Sequence, residues 1–232
     1  GDLLDSKGLL KEHLVFFDAF CGSGSVSDYF KSYYDIIIND NLMWSVKYTK
    51  GRVCAPVCTF EKLGFDPFEY LNANETTVQG FMYKNYAPTE STRMYFTPEN
   101  AGRIDYFRKQ IEDWKKSNLL SDEEYCYLIA CLIESVSAVS NTAGVYGAFL
   151  KKWDSRATKK ISLDKVNFRQ DGHNLIKTYN EKIENIIESI ECDILYMDPP
   201  YTRKLTASSN SVILCSFGDR THNFPLLSVL KN

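Results

Sequence analysis

Leu14-Val15-Phe16-Phe17-Asp18-Ala19-Phe20-Cys21-Gly22-Ser23-Gly24-Ser25 is the stretch that decides the fold. The apolar run from Leu14 to Phe20 predicts a buried strand, and the glycine-bearing segment from Cys21 to Ser25 breaks it sharply. Ser27 to Tyr34 predicts a helix with Tyr29, Phe30 and Tyr33 on one side. Ile36 to Ile38 predicts a second strand that closes on Asn39-Asp40. Strand, loop, helix, strand is the repeating unit of a Rossmann-like α/β fold, whose strands run parallel because a helix carries the chain back between them. The two glycines allow a tight turn, so that a ligand can lie against bare backbone at the strand's carboxyl end. Ordinary turn chemistry also accounts for them. The third glycine of the dinucleotide fingerprint is missing, which disfavours a pyrophosphate cofactor and leaves room for a nucleoside without phosphates. Asp40, at the next strand end, is placed to accept both hydroxyls of a ribose, the other reading being a solvated strand end.

Further along the chain, residues 72–98 are polar and read as a long irregular connection, the kind of segment in which function often resides. Thr97-Pro98 predicts the start of a helix in which Ile104, Phe107, Ile111 and Trp114 form one apolar face. Ser121-Asp122-Glu123-Glu124 is a capping box that starts a second helix through Leu132 and Ile133. Ile176, Tyr179, Ile183, Ile186, Ile187 and Ile190 predict a third helix, leading into a strand from Asp193 to Met197 that ends at Asp198-Pro199-Pro200-Tyr201. This alternation predicts a core built from residues 1–71 and 172–232, with residues 72–171 as a mostly helical insertion.

The chain has 232 residues, 44% of them hydrophobic and 25% charged, which suits a folded domain with a sizeable core and excludes wholesale disorder. Apolar runs are far too short to span a bilayer and no leader pattern opens the chain, so the expected setting is cytoplasmic, with no membrane partner. Seven cysteines without a Cys-x-x-Cys pair point to reduced thiols, and three scattered histidines give no metal-ligand set. A net charge of −3 supplies no overall attraction to nucleic acid, so such a role must rest on local patches.

Asp198-Pro199-Pro200-Tyr201 suits one task well. An aromatic exocyclic amine is a poor nucleophile because its lone pair is delocalised into the ring. Two acceptors pulling on its hydrogens return density to nitrogen, and the Asp198 carboxylate with a proline-fixed backbone carbonyl can be those acceptors. Tyr201 can stack on a base that has left the duplex, worth about 1–3 kcal/mol per base. A rigid proline turn carrying a surface tyrosine is the plainer alternative.

The order of these motifs, Asp18-Ala19-Phe20-Cys21-Gly22-Ser23-Gly24, then Asp40, then Asp198-Pro199-Pro200-Tyr201 after a long insertion, resembles that of Dam-like adenine-specific DNA methyltransferases. The resemblance covers most of residues 14 to 201. It implies a methyltransferase core that uses S-adenosylmethionine and methylates adenine N6 in double-stranded DNA, as in restriction-modification systems, with a cognate restriction endonuclease as a partner. By position it assigns Asp18, Phe20, Gly22 and Gly24 to the cofactor's methionine and adenosine, Asp40 to its ribose, and Asp198, Pro199 and Tyr201 to catalysis and base binding. Ser140 to Tyr146 is similar to an Asn- and Gly-containing segment that precedes the recognition region in this family; a well-packed loop explains it equally.

Target recognition is expected in the insertion. From Lys151 to Lys177 eight basic residues face three acidic ones, and Lys152, Arg156, Lys159, Lys160 and Arg169 are the expected DNA contacts, with Arg156 or Arg169 available for guanine edges. A solvated surface loop is the alternative. Arg93 and Arg103 are weaker candidates for phosphate contacts. Ser6-Lys7 lies too close to the first strand for the family's opening Gly-Ser-Lys segment and helix. Thr202 to Asn232, with a Ser-rich run and a short apolar stretch at Val212 to Leu214, lacks family-like patterning. A truncated or frame-shifted chain with a shortened sheet and an open pocket is therefore expected. Rival readings are an RNA or protein amine methyltransferase and an inactive remnant that binds cofactor or DNA.

Overall fold

The computed structural model describes residues 14–143, 148–172 and 174–199, together with the strands Val212–Ser216 and Val229–Leu230. The chain divides into two compact units, Gly1–Val57 with Phe168–Asn232, and Cys58–Asn167.

The first unit is a six-stranded sheet. Its strands are β1 (Val15–Asp18), β2 (Asp35–Asn39), β3 (Leu175–Tyr179), β4 (Ile194–Met197), β5 (Val212–Ser216) and β6 (Val229–Leu230), in the spatial order β3-β2-β1-β4-β5-β6. β1 pairs in parallel with β2 on one side and β4 on the other, β3 is parallel to β2, and β5 and β6 follow antiparallel. Side-chain alternation on β1 fills both faces of the sheet. Phe16 joins Ile36, Ile38 and Ile194 on the face covered by α1 (Ser25–Phe30) and α2 (Met43–Cys54), where Val26, Phe30 and Val46 pack. Phe17 joins Ile37 and Leu195 on the opposite face, against Ile183, Ile186, Ile187 and Ile190.

Two expectations change here. Residues 175–179 form a strand, and only Ile183–Ile186 (α7) with the 3-10 turn Ile187–Ser189 is helical. The helical spacing of Ile176, Tyr179 and Ile183 is coincidental: Ile-Lys-Thr-Tyr is β-favouring, and β2 has an open side that a parallel strand satisfies. The apolar stretch at Val212 becomes β5, so the chain after Tyr201 extends the sheet beyond β4 instead of leaving it short.

The second unit is helical. It contains α3 (Pro67–Ala73), α4 (Phe81–Tyr86), α5 (Pro98–Lys116) and α6 (Asp122–Ala138). The expected apolar face of α5 is buried at Ile104, Phe107, Ile111 and Trp114, and both hydrogen bonds of the Ser121/Glu124 capping box are made. The polar stretch 72–98 is less irregular than expected, because the Asp105 carboxylate accepts from Met82 N and Tyr83 N and so anchors the start of α4. Asn100 donates to Ala157 O and Lys159 O and accepts from Ile161 N, while Asn72 exchanges two hydrogen bonds with Leu163. These two amides hold the irregular segment 157–163 onto the helices. Among the described residues no helix is long and apolar enough to cross a membrane.

One buried cation ties the first unit together. The Lys31 ammonium, at the end of α1, pairs with Asp28 at 2.8 Å and donates to Arg52 O, Val53 O and Arg169 O. It thereby joins α1, the end of α2 and the point where the chain re-enters this unit. Lys31→Met leaves those carbonyls without their donor and Asp28 with Arg52 alone, and is expected to lower unfolding stability by about 3 kcal/mol in urea titrations.

Candidate functional site

Asp18 is the last residue of β1 and shares a sheet face with Phe16, so its carboxylate points towards α1 and is 1% exposed. Ser27, in the first turn of α1, donates to its Oδ2 at 2.6 Å, while Oδ1 is buried without a hydrogen-bond partner among the described residues. The register puts Asp18 opposite Ile38 of β2 and Tyr196 of β4, and Asp40 and Asp198 each follow two residues later on those neighbouring strands. Three carboxylates therefore stand at one carboxyl edge of the sheet. Burial is the main cause that pushes Asp18 up to about 7. The hydrogen bonds from Ser27 and the Phe20 backbone work against that shift, and the charges of Asp40 and Asp198 add to it.

The loop between β1 and α1 is shaped by its glycines. Gly22 has φ +50° and its N–H donates to Asp40 Oδ2 at 3.0 Å, while Leu42 N donates to Asp40 Oδ1 at 2.8 Å. Asp40 thus stitches the glycine loop to the end of β2 and keeps further lone pairs for an outside donor. Gly24 has φ +70°, and a Cβ there would meet the Thr49 hydroxyl of α2 at 2.7 Å. Its lack of a side chain lets α2 close on the loop. Cys21, buried beside this loop, has its thiol pushed up to about 12, chiefly by burial, so it stays protonated and is no nucleophile.

Of the expected site residues, Asp18, Gly22, Gly24, Asp40, Asp198 and Pro199 lie at this edge. Asp198 is exposed and Pro199 half-buried. Phe20 packs from the loop against the Phe17 and Ile37 face of the sheet. Tyr201, like Pro200, Ser6 and Lys7, lies outside the described residues. Sequence reading missed Ser27, although a small hydroxyl within the first turn of a helix that faces Asp18 was a usable signal. It also missed Asn39, whose buried amide donates to Ala19 O and accepts from Glu181 N, tying together the ends of β1, β2 and β3. Leu42, Met43 and Trp44, each about half exposed, form an apolar step that begins two residues after Asp40.

The basic run is divided between the two units. Arg169 belongs to the sheet unit, where it pairs with Asp171 at 2.6 Å and lies over the Tyr29 ring. In the helical unit Lys160 pairs with Glu75 and Arg156 with Asp154, whereas Lys152 and Lys159 are exposed with no carboxylate partner among the described residues. Arg103 is corrected: it is 1% exposed, donates to Asn74 O and Leu71 O and lies over the Phe107 ring, so it holds helices together and is not available to a phosphate. Asn141 is a clamp of its loop, donating to Met94 O and Leu150 O and accepting from Asp154 N; Gly144 to Tyr146 lie outside the described residues.

Comparison with known proteins adds a finding independent of this geometry. The family model described as D12 class N6 adenine-specific DNA methyltransferase matches residues 3–225. The match extends past Tyr201, where family-like patterning was not expected. The chain is 40% identical over 195 residues to the type II methyltransferase M.FokI of Planomicrobium okeanokoites, covering 81% of this chain and 30% of that protein. It is 38% identical over 224 residues to the modification methylase LlaI of Lactococcus lactis subsp. lactis, covering 88% and 34%. It is 36% identical over 196 residues to the type II methyltransferase M.NlaIII of Neisseria lactamica, covering 82% and 56%. The chain thus spans about a third of the first two relatives and little more than half of the third. No solved structure matches it significantly.

The buried carboxyl at this edge makes stability depend on pH. An ordinary aspartate ionises near 3.8, whereas Asp18 in the folded protein does so near 7. The folded state therefore binds a proton that the unfolded chain releases, and stability falls as pH rises from about 4 to about 7, by an amount on the order of 4 kcal/mol. Asp18→Asn is expected to flatten that part of the pH profile in urea titrations. An unchanged slope would contradict the assignment.

Proposed function

The chain belongs to the D12 class N6 adenine-specific DNA methyltransferase family, and from that premise we propose that it transfers a methyl group from S-adenosylmethionine to adenine N6 in duplex DNA. The observation that carries this reading is the placement of the glycine loop, Asp40 and Asp198 on the ends of adjacent parallel strands. A nucleoside seat and an amine-polarising corner then share one edge of the sheet, which is where a single-carbon transfer needs them.

The residues present fit that cofactor. Asp40 offers carboxylate lone pairs to a ribose, and Leu42, Met43 and Trp44 offer apolar surface beside it to a purine ring. The partnerless Oδ1 of Asp18 offers a buried acceptor to the ammonium of the methionine part. At the loop itself, a Cβ on Gly22 would find, among the described residues, only Phe20 O within 4 Å, at 3.9 Å, so that backbone is open to close approach. When bound, S-adenosylmethionine supplies a sulfonium that makes its methyl carbon electrophilic.

The chain's own residues do the rest by positioning and polarisation. Asp198 and the carbonyl of Pro199 accept the two N6 hydrogens and return electron density to the amine nitrogen. The exposure of Asp198 gives the proton released on methylation a route to solvent. Tyr201 stacks on the flipped adenine. Lys152, Arg156, Lys159, Lys160 and Arg169 contribute phosphate contacts, to which Lys152 and Lys159 are the most accessible because no described carboxylate engages them. In that role the protein works in the cytoplasm beside a restriction endonuclease of the same recognition sequence, a setting supported by the relatives named as modification methylases.

The test is mass spectrometry of nucleosides from duplex DNA incubated with the chain and S-adenosylmethionine. N6-methyladenine is the expected product; a methyl group found only on RNA or protein, or on none of the three, would contradict the reading. Asp198→Ala is expected to reduce transfer at least a thousandfold, on the order of 4 kcal/mol in the barrier, while cofactor binding in calorimetry changes less than threefold.

A further inference from the structure

Ser27 donates to Asp18 Oδ2 at 2.6 Å, both residues are essentially buried, and the other carboxylate oxygen has no hydrogen-bond partner among the described residues. A buried carboxyl with one oxygen held and the other left without a described partner has a fixed orientation and an unmet hydrogen-bond demand. We infer that Ser27 is a positioning residue for the cofactor site: it aims Asp18 at the ammonium of the bound nucleoside's amino-acid part and, by donating to the carboxylate, extends binding of that group to lower pH. This rests on the proposed cofactor reading of the same loop.

The arrangement follows from the chain geometry. Asp18 ends β1 on the face that α1 covers, and Ser27 stands one turn into α1 after the Gly22 and Gly24 turn. The neighbouring Asp28 is instead paired with Lys31 and Arg52. The charged groups facing Asp18 from the other strands are Asp40 on the β2 side and Asp198 on the β4 side, with the Cys21 thiol in the loop. These described groups are anionic or neutral, and none of them is a cation that would hold Asp18 ionised at neutral pH. Burial and these like charges favour the protonated acid, and only the Ser27 and Phe20 hydrogen bonds favour the carboxylate. An arriving ammonium supplies the missing positive charge. The carboxyl then loses its O–H proton to solvent and the ammonium keeps all of its own, so charge and protons balance.

Binding of S-adenosylhomocysteine, which carries the same ammonium and undergoes no transfer, tests this without turnover. Calorimetry in two buffers of different ionisation enthalpy is expected to show release of up to one proton per ligand below pH 7, decreasing towards zero at pH 9. In Ser27→Ala the pH at which affinity reaches its plateau moves upward by about one unit, and affinity at pH 7 falls about fivefold. Ser27→Thr, which keeps the hydroxyl, is expected to restore both. Carbon-13 NMR of the Asp18 carboxyl in the ligand-free protein is expected to show titration near neutrality, moved upward in Ser27→Ala, and gives a readout that needs no ligand. Ligand binding with the same proton release and pH profile in the parent and Ser27→Ala would overturn the inference and leave the functional reading standing. No binding at any pH would overturn both.

Discussion

Parallel pairing of β1 with β2 and with β4 is the constraint from which the site follows. Each parallel strand ends on the same edge, so what β1, β2 and β4 carry at their carboxyl ends is brought together although Asp18 and Asp198 are 180 residues apart in sequence. The cost of this architecture is concentrated charge. Asp18, Asp40 and Asp198 repel one another at that edge, and burial of Asp18 leaves it near neutrality instead of fully ionised. A site so arranged is well matched to a cationic ligand. Charge that is unfavourable when the site is empty becomes complementary when a cation enters.

The supporting contacts explain why the edge is held in place. Asp40 accepts from the glycine loop, Asn39 ties β1 to the residues after β3, and Asn180 donates to Asp40 O. The strand ends are therefore linked to one another by side chains as well as by the sheet ladder. Lys31 performs the corresponding task on the helical side, joining α1, α2 and the returning chain through three carbonyls and one carboxylate. In the helical unit, the Asn72 and Asn100 amides give an irregular, lysine-bearing segment a defined course.

What was legible in the sequence was mostly what local pattern determines. The buried strand at Val15, the glycine turn, the strand at Ile36, the apolar face of α5 and the Ser121 capping box all depend on neighbours a few residues away, and all appear as read. The strand at Leu175 was misread because its isoleucine spacing also fits a helix, and the decision was made by an open edge of β2 that is far away in sequence. Arg103 was misread for a related reason: charge on a sequence suggests solvent, but the α5 face that carries it turns inward against Leu71 and Asn74. The partners of the basic residues, such as Glu75 for Lys160 and Asp66 for Lys165, are set by packing that no spacing rule reveals. Ser27 was read only as the start of a helix, and the face shared by Asp18 and α1 is what gives it meaning.

A crystal structure of the chain with bound S-adenosylhomocysteine tests the shared edge most directly. The account requires the ribose hydroxyls at Asp40, the amino-acid end at Asp18, and the sulfur facing Asp198 across the ends of β1 and β4. A nucleoside seated elsewhere, or seated here with its sulfur turned away from Asp198, would contradict it.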